Sequence, residues 1–190
     1  MCPLVLLLTF ALFFASAFVS RAQEVSTQVE MPDFPKGQGV FCRLEASKWA
    51  ALEPATIVDT KLEGMKRFLE TVGQSAIYTT ITYRGEKAKI RIPDVRPVFF
   101  IRGVALAQNA LIVRLTQKND SRETYTESDN TTYDNRGGYK TSEIRRLIIT
   151  SYSKDAFAAT PEEPLKSGEY LLTFGNTHVG YDFSIEVREE

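Results

Sequence analysis

The stretch Val98 to Lys118, VFFIRGVALAQNALIVRLTQK, decides the fold. Two apolar runs, Val98 to Arg102 and Leu111 to Leu115, stand either side of GVALAQNA. Each is rich in Val, Ile, Leu or Phe, carries one Arg, and at about five residues is too short for a helix, so it reads as a strand covered on both faces. These two runs are the candidates for the sheet centre.

Outward from them, apolar and polar residues alternate, as strands with one wet face do. Gly39 to Glu45 reads as the first strand. Ser75 to Arg84 sets Ile77, Thr79, Ile81 and Tyr83 on one face, and Lys87 to Ile92 sets Ala88, Ile90 and Ile92 opposite Lys87, Lys89 and Arg91. Gly85-Glu86 between them suits a two-residue hairpin turn, which makes these two runs antiparallel neighbours. Pro93 and Pro97 bracket the link into Val98, because proline cannot donate to a ladder. Ser142 to Tyr152 reads as one further strand, and Gly168 to Phe174 with Tyr181 to Val187 as a closing hairpin across Gly175 to Gly180. One helix is expected: Thr60-Lys-Leu-Glu63 matches a capping box, and Leu62, Met65, Phe68, Leu69 and Val72 follow at helical spacing up to Gly73. The sum is a mainly β chain, an antiparallel β-sandwich of immunoglobulin-like outline with about eight strands and one short helix, a partly open barrel being the alternative.

The first residues read differently. Leu4 to Val19 is apolar apart from Thr9 and Ser16, and Ser20-Arg21-Ala22 places small residues where a signal peptidase looks for them. We expect a signal peptide over residues 1–22, an extended N-terminal arm over 23–38 with Pro32, Pro35 and Gly37, and a single domain over 39–190. No Lys or Arg precedes the apolar run, so retention as a membrane anchor is the alternative to cleavage. The expected place is outside the cell, in the periplasm or on the cell envelope. Cys2 falls in the signal, which leaves Cys42 as a small buried side chain rather than half of an internal disulfide. The only tryptophan, Trp49, reads as a packing residue whose N–H finds a carbonyl, with a ligand platform as the lesser reading.

The order of motifs has a likeness. Arg96-Pro-Val-Phe-Phe100, Leu111-x-x-Arg-Leu115, Lys118-Asn-Asp-Ser-Arg-Glu123, Leu165-x-x-Gly-Glu-Tyr170 and Tyr181-Asp-Phe183 together resemble a group of uncharacterised secreted bacterial β-rich proteins. The likeness spans roughly residues 85–187 and rests on structural motifs. It implies export and a β fold and brings no site with it.

Chemistry has few places to sit. His178 is the only histidine, which removes any multi-histidine metal site, and no serine lies in a Gly-x-Ser-x-Gly elbow. No catalytic residue, metal ligand set or cofactor loop is assigned. Asp129, Asp134 and Asn135 beside Gly137-Gly138 offer oxygen ligands for a hard cation but form no EF-hand. The formal charge is only −1, against a dedicated polyanion binder. Yet residues 61–118 carry eleven bases and four acids, and Lys87, Lys89 and Arg91 share one strand face. That stripe is either an anion-binding face or a solvated set paired with acids on neighbouring strands. The polar segment Asn119 to Thr141, whose first part through Thr126 can extend the preceding strand, reads as an exposed loop in which Tyr125, Asp129, Tyr133, Asp134 and Tyr139 form a recognition surface.

The reading is a secreted or cell-envelope, non-enzymatic binding module for a protein or glycan partner. Nucleic acid is not an expected partner, a membrane is one only through an uncleaved signal, and oligomeric state is not set by the sequence. A small glycosidase-like hydrolase using a carboxylate pair is the alternative. Cleavage after Ala22 gives a mature chain that starts at Gln23. Intact-mass measurement of the exported protein checks this, and a mass that retains residues 1–22 in the membrane fraction contradicts it.

Overall fold

The computed structural model describes residues 33–46, 48–63, 76–129, 138–175 and 179–187. All of them belong to one of the chain's two compact units, Pro32–Glu190. The expected signal at 1–22, most of the expected helix, Tyr133, Asp134 and His178 lie outside the described residues.

The described strands are, in order, β1 (Gly39–Glu45), β2 (Lys48–Ala51), β3 (Ile57–Glu63), β4 (Ala76–Arg84), β5 (Arg91–Ile92), β6 (Phe99–Arg102), β7 (Ala110–Lys118), β8 (Ser121–Asp129), β9 (Gly138–Tyr139), β10 (Ile144–Arg145), β11 (Leu147–Ser153), β12 (Ala156–Pro161), β13 (Gly168–Phe174) and β14 (Gly180–Ile185). The fold is mainly β, with two antiparallel-rich sheets. The small sheet runs β11-β12-β6-β1-β2; the large one runs β3-β4-β8-β7-β13-β14-β5, with β9 set against β8 and β10 against β7.

Both apolar runs that opened the reading are central, but in different sheets. β6 is the middle strand of the small sheet and β7 the middle strand of the large one. The residues between them carry the chain across, through a short 3-10 turn at Ala107–Asn109 and left-handed backbone at Gly103 and Leu106. Between the sheets lies one apolar cluster. Val40, Cys42, Phe99 and Ile101 enter it from the small sheet, Ile112, Leu172, Phe183 and Ile185 from the large one. Each fully buried Ile, Leu or Phe contributes roughly 1.5–3 kcal/mol.

The large sheet has a second apolar cluster on its other face, built from Ile81, Tyr83, Val113, Leu115, Tyr139 and Leu171. Neighbouring residues therefore serve opposite clusters: Ile112 one and Val113 the other, Leu172 one and Leu171 the other. That is why these strands read as unbroken apolar runs. The sheet covers this second face largely by curling. Pro54, just before β3, bridges Tyr181 of β14; the Ala55 N–H donates to the Gly180 carbonyl at 2.8 Å, and the Arg84 N–H to the Thr56 carbonyl at 2.9 Å. Gly180 is required at this seam, since a Cβ there would meet Leu171 Cγ at 2.6 Å and the Leu172 carbonyl at 2.7 Å.

Several expectations are corrected. Thr60 to Glu63 is part of β3, paired with β4, and no helix starts there; the β-branched run Ile57-Val58 and a partner strand outweigh the capping-box pattern. The expected hairpin of 75–84 with 87–92 does not form. β4 lies between β3 and β8, while Arg91–Ile92 runs parallel to β14, where the Ile90 and Ile92 carbonyls accept the Ser184 and Glu186 N–H groups. The run 142–152 is two strands rather than one, because the chain leaves the large sheet after Arg145 and enters the small one at Leu147. Ala156–Pro161 is a strand that the sequence reading did not assign. The largest correction concerns 119–141. After a turn at Asn119-Asp120, Ser121–Asp129 pairs along its whole length with β4, and Arg122, Thr124 and Thr126 are buried. Polar side chains hide a strand here because they alternate inward and outward like any others.

Cys42 is buried and forms no disulfide, and burial pushes its thiol up from 9.0 to about 12. The unfolded chain releases this proton near 9.0 and the folded chain holds it, so this thiol makes stability fall as pH rises from about 9 to about 12. Native protein at neutral pH should resist thiol alkylation and label fully in denaturant. Rapid labelling of the native protein contradicts this placement.

Candidate functional site

The outer face of the small sheet carries the first candidate. On this face Arg43 of β1 is registered with Trp49 of β2, Ala158 of β12 with Phe100 of β6, and Thr150 of β11 with Ala158. Phe100 points away from the core between the sheets, and it is Phe34, in the arm before β1, that covers it. The two rings stack 4.2 Å apart at 8°, and Phe34 also meets Trp49 and Tyr152 edge-on at 5.7 and 4.9 Å. Three hydrogen bonds tie the arm down. Trp49 Nε1 donates to the Asp33 carbonyl at 3.2 Å, and Arg102 Nη1 to the carbonyls of Pro35 and Lys36 at 3.4 and 3.2 Å. The Arg102 guanidinium also lies 5.4 Å from the Phe100 ring centroid. Beside these rings opens a groove of about 450 Å³, whose rim includes Asp33, Arg43, Thr150 and Thr160. Aromatic walls with a few polar groups at the edge are the composition of ligand sites.

A second cleft, of about 300 Å³, lies at the seam of the large sheet and is lined by Glu53, Arg84, Lys87, Lys89, Arg122 and Asp182, among others. Arg122 forms its inner wall and is 2% exposed. Its Nη2 lies 2.6 Å from Asp182 Oδ2 and donates to the Arg84 carbonyl at 2.7 Å; Nε donates to the Gly85 carbonyl at 2.9 Å; Nη1 is 3.5 Å from Glu169 Oε2. Glu169 accepts in turn from Ser184 Oγ at 2.6 Å and from the Ala88 N–H at 2.8 Å. One guanidinium thus joins β8, β13, β14 and the turn after β4. Its role is structural: Asp182 and the carbonyls of Arg84 and Gly85 hold Nη2 and Nε, while Nη1 faces the Glu169 charge without a hydrogen-bond acceptor among the described residues. At the mouth, Lys89 Nζ meets Glu53 Oε2 at 2.6 Å, and that hydrogen bond, with the Lys89 charge, holds the Glu53 carboxyl below its usual range.

The residues singled out from the sequence separate into three places. Lys87 and Arg91 share Glu186, at 4.0 and 3.5 Å, and Lys89 has Glu53, so each base of the stripe stands beside an acid from another segment. Tyr125 is half-buried on β8, and Asp129 ends that strand. Tyr139 is 5% exposed on β9 opposite Thr126 and hydrogen-bonds Tyr83 and Thr173, so it presents no free ring to a partner. Burial holds both phenols, Tyr83 and Tyr139, above the ordinary range. Tyr133, Asp134 and the rest of the possible cation loop fall outside the described residues. Among the described residues no three His, Cys, Asp or Glu side chains gather as a metal set. The sequence reading missed Phe34 and Tyr152, whose only signal was aromatic character. It also missed Arg122, Glu169 and Asp182, which charge alone would have placed on the surface.

Compared with known proteins, the chain matches no family model, no curated protein and no solved structure. Among the described residues no helix is long and apolar enough to cross a membrane.

Replacing Arg122 by Met leaves Glu169 and Asp182 without their cation, and the protein should lose about 3–5 kcal/mol in urea unfolding. Arg122→Met with Glu169→Leu and Asp182→Leu should recover most of that loss. Lys89→Ala, at a fully exposed pair, should leave the urea midpoint unchanged within error. An Arg122→Met midpoint equal to wild type contradicts the structural role.

Proposed function

We propose that this protein is a secreted or cell-envelope, non-enzymatic module, an antiparallel β-sandwich of immunoglobulin-like outline, that binds a glycan in the groove bounded by Phe34, Trp49 and Tyr152. The observation that carries the reading is that groove: aromatic side chains converge where Asp33, Arg43, Thr150 and Thr160 supply hydrogen-bonding groups. A sugar ring has the matching chemistry, with an apolar C–H face to lie on a ring and hydroxyls around its edge. Export is supported by the apolar leader and its small-x-small end, and by the likeness to secreted β-rich proteins.

Binding is favoured over hydrolysis by the lining of the groove. A glycosidase works with a pair of carboxyl groups that flank the bond to be cut. Among the described residues that line this groove Asp33 is the one acid.

Trp49 is the chain's only tryptophan, so its fluorescence reports on the groove without interference. Titration with neutral oligosaccharides selected on a glycan array should change this emission saturably. Tyr152→Ala should weaken binding by about five- to tenfold, as expected for loss of one ring worth roughly 1 kcal/mol, with a thermal midpoint close to wild type. Lys87→Ala and Arg91→Ala should bind as wild type. Loss of binding in those two variants instead of Tyr152→Ala moves the site to the basic stripe, and capture of peptides but no glycans makes the partner a protein.

A further inference from the structure

The large sheet ends on β3, which has β4 on one side and no strand on the other among the described residues. It is also where exposed apolar side chains gather: Val58 is 48% exposed and Leu62 75%. The Thr60 N–H bonds Asp59 Oδ1 at 2.8 Å, and Lys61 Nζ lies 3.2 Å from Asp59 Oδ2, so a carboxylate beside a bare strand edge satisfies an edge donor and a lysine at once. Proteins usually guard such an edge with charge, because an unpaired row of N–H and C=O groups is a template for another strand.

Here the guard is self-complementary. We propose that β3 pairs antiparallel with the β3 of a second copy of this chain, about a two-fold axis at Thr60, so that one large sheet continues across both subunits. In this register Thr60 faces its own counterpart, Asp59 faces Lys61 of the other copy and Lys61 its Asp59, while each exposed Leu62 lies at the end of the ladder beside Val58, the residue of the bulge between Ile57 and Asp59. Opposite charges and apolar side chains are the pairs that stabilise facing strands. The neighbouring symmetric registers are penalised. An axis at Asp59 sets two carboxylates face to face, and an axis at Lys61 sets two ammonium groups face to face. A strand from an unrelated protein would have to match the order Val-Asp-Thr-Lys-Leu in reverse, which this strand itself does. Each interface is isologous and closes as a dimer, so it consumes the β3 edge of both copies. The contact is a strand addition at an edge, away from the residues that bound the aromatic groove.

Sedimentation over a concentration series up to about 1 mM, the weak end of specific association, should show a monomer–dimer equilibrium. Asp59→Lys and Lys61→Asp each place like charges opposite one another at two positions and should weaken the dimer by about tenfold or more. Mixing the two variants should give a heterodimer of near wild-type affinity, because the lysines of one copy then face the aspartates of the other. The double variant Asp59→Lys/Lys61→Asp should self-associate as wild type does. Circular dichroism and the thermal midpoint confirm that each variant is folded. A folded wild type that stays monomeric across the series, or single variants that dimerise as strongly as wild type, overturns the proposal.

Discussion

Neither face of the large sheet is wet along β13 and the Ala110 to Leu115 part of β7, and the rest of the molecule follows from covering them. One face is covered by the small sheet. The other, with Val113, Leu115 and Leu171, is covered as the sheet bends round until the chain before β3 reaches β14. A sheet that bends this far must twist, and Gly180, whose carbonyl takes the Ala55 N–H across the seam, packs so closely on its neighbour β13 that a Cβ would meet Leu171 and the Leu172 carbonyl. The apolar requirement of two strands therefore explains the sandwich-like layering and also the curl of the large sheet.

Curling a sheet of limited width brings polar strand ends together. Arg122 is the response to that problem. Taking a guanidinium out of water costs several kcal/mol, which Asp182 and the carbonyls of Arg84 and Gly85 offset through short contacts and Glu169 through its charge at 3.5 Å. The net contribution to stability is modest, but the arrangement is specific: a one-residue slip of β8 would send Arg122 to the other face and strand both acids. The ionic group fixes the register of a strand whose threonines would tolerate several.

How much of this was legible depends on whether a residue's role is local. β1, β13 and β14 were readable because alternation or an apolar run is a local property of Gly39 to Glu45, Gly168 to Phe174 and Gly180 to Ile185. β12 was hidden because Ala156, Ala158 and Ala159 carry little hydrophobic signal, although a position between β11 and β6 suits small side chains. β8 was hidden for the opposite reason, since its buried positions hold Arg and Thr whose partners lie far along the chain. The capping-box match at Thr60 to Glu63 shows the same limit, because four residues cannot reveal that β4 lies alongside. Trp49 could be flagged as an aromatic of interest, but the groove around it is assembled from Phe34, Phe100 and Tyr152, which only the sheet brings together.

The arm bearing Phe34 gives that groove a composite wall. Two of its bounding rings belong to the small sheet, and the third belongs to a segment held by one stacked ring and three hydrogen bonds. Docking of the arm and occupation of the groove are then linked equilibria: a ligand that touches Phe34 favours the docked arm by the same factor by which the docked arm favours the ligand. Affinity can accordingly be tuned from outside the binding surface: Arg102, which takes no part in lining the groove, holds the carbonyls of Pro35 and Lys36 and so sets how firmly Phe34 stays in place.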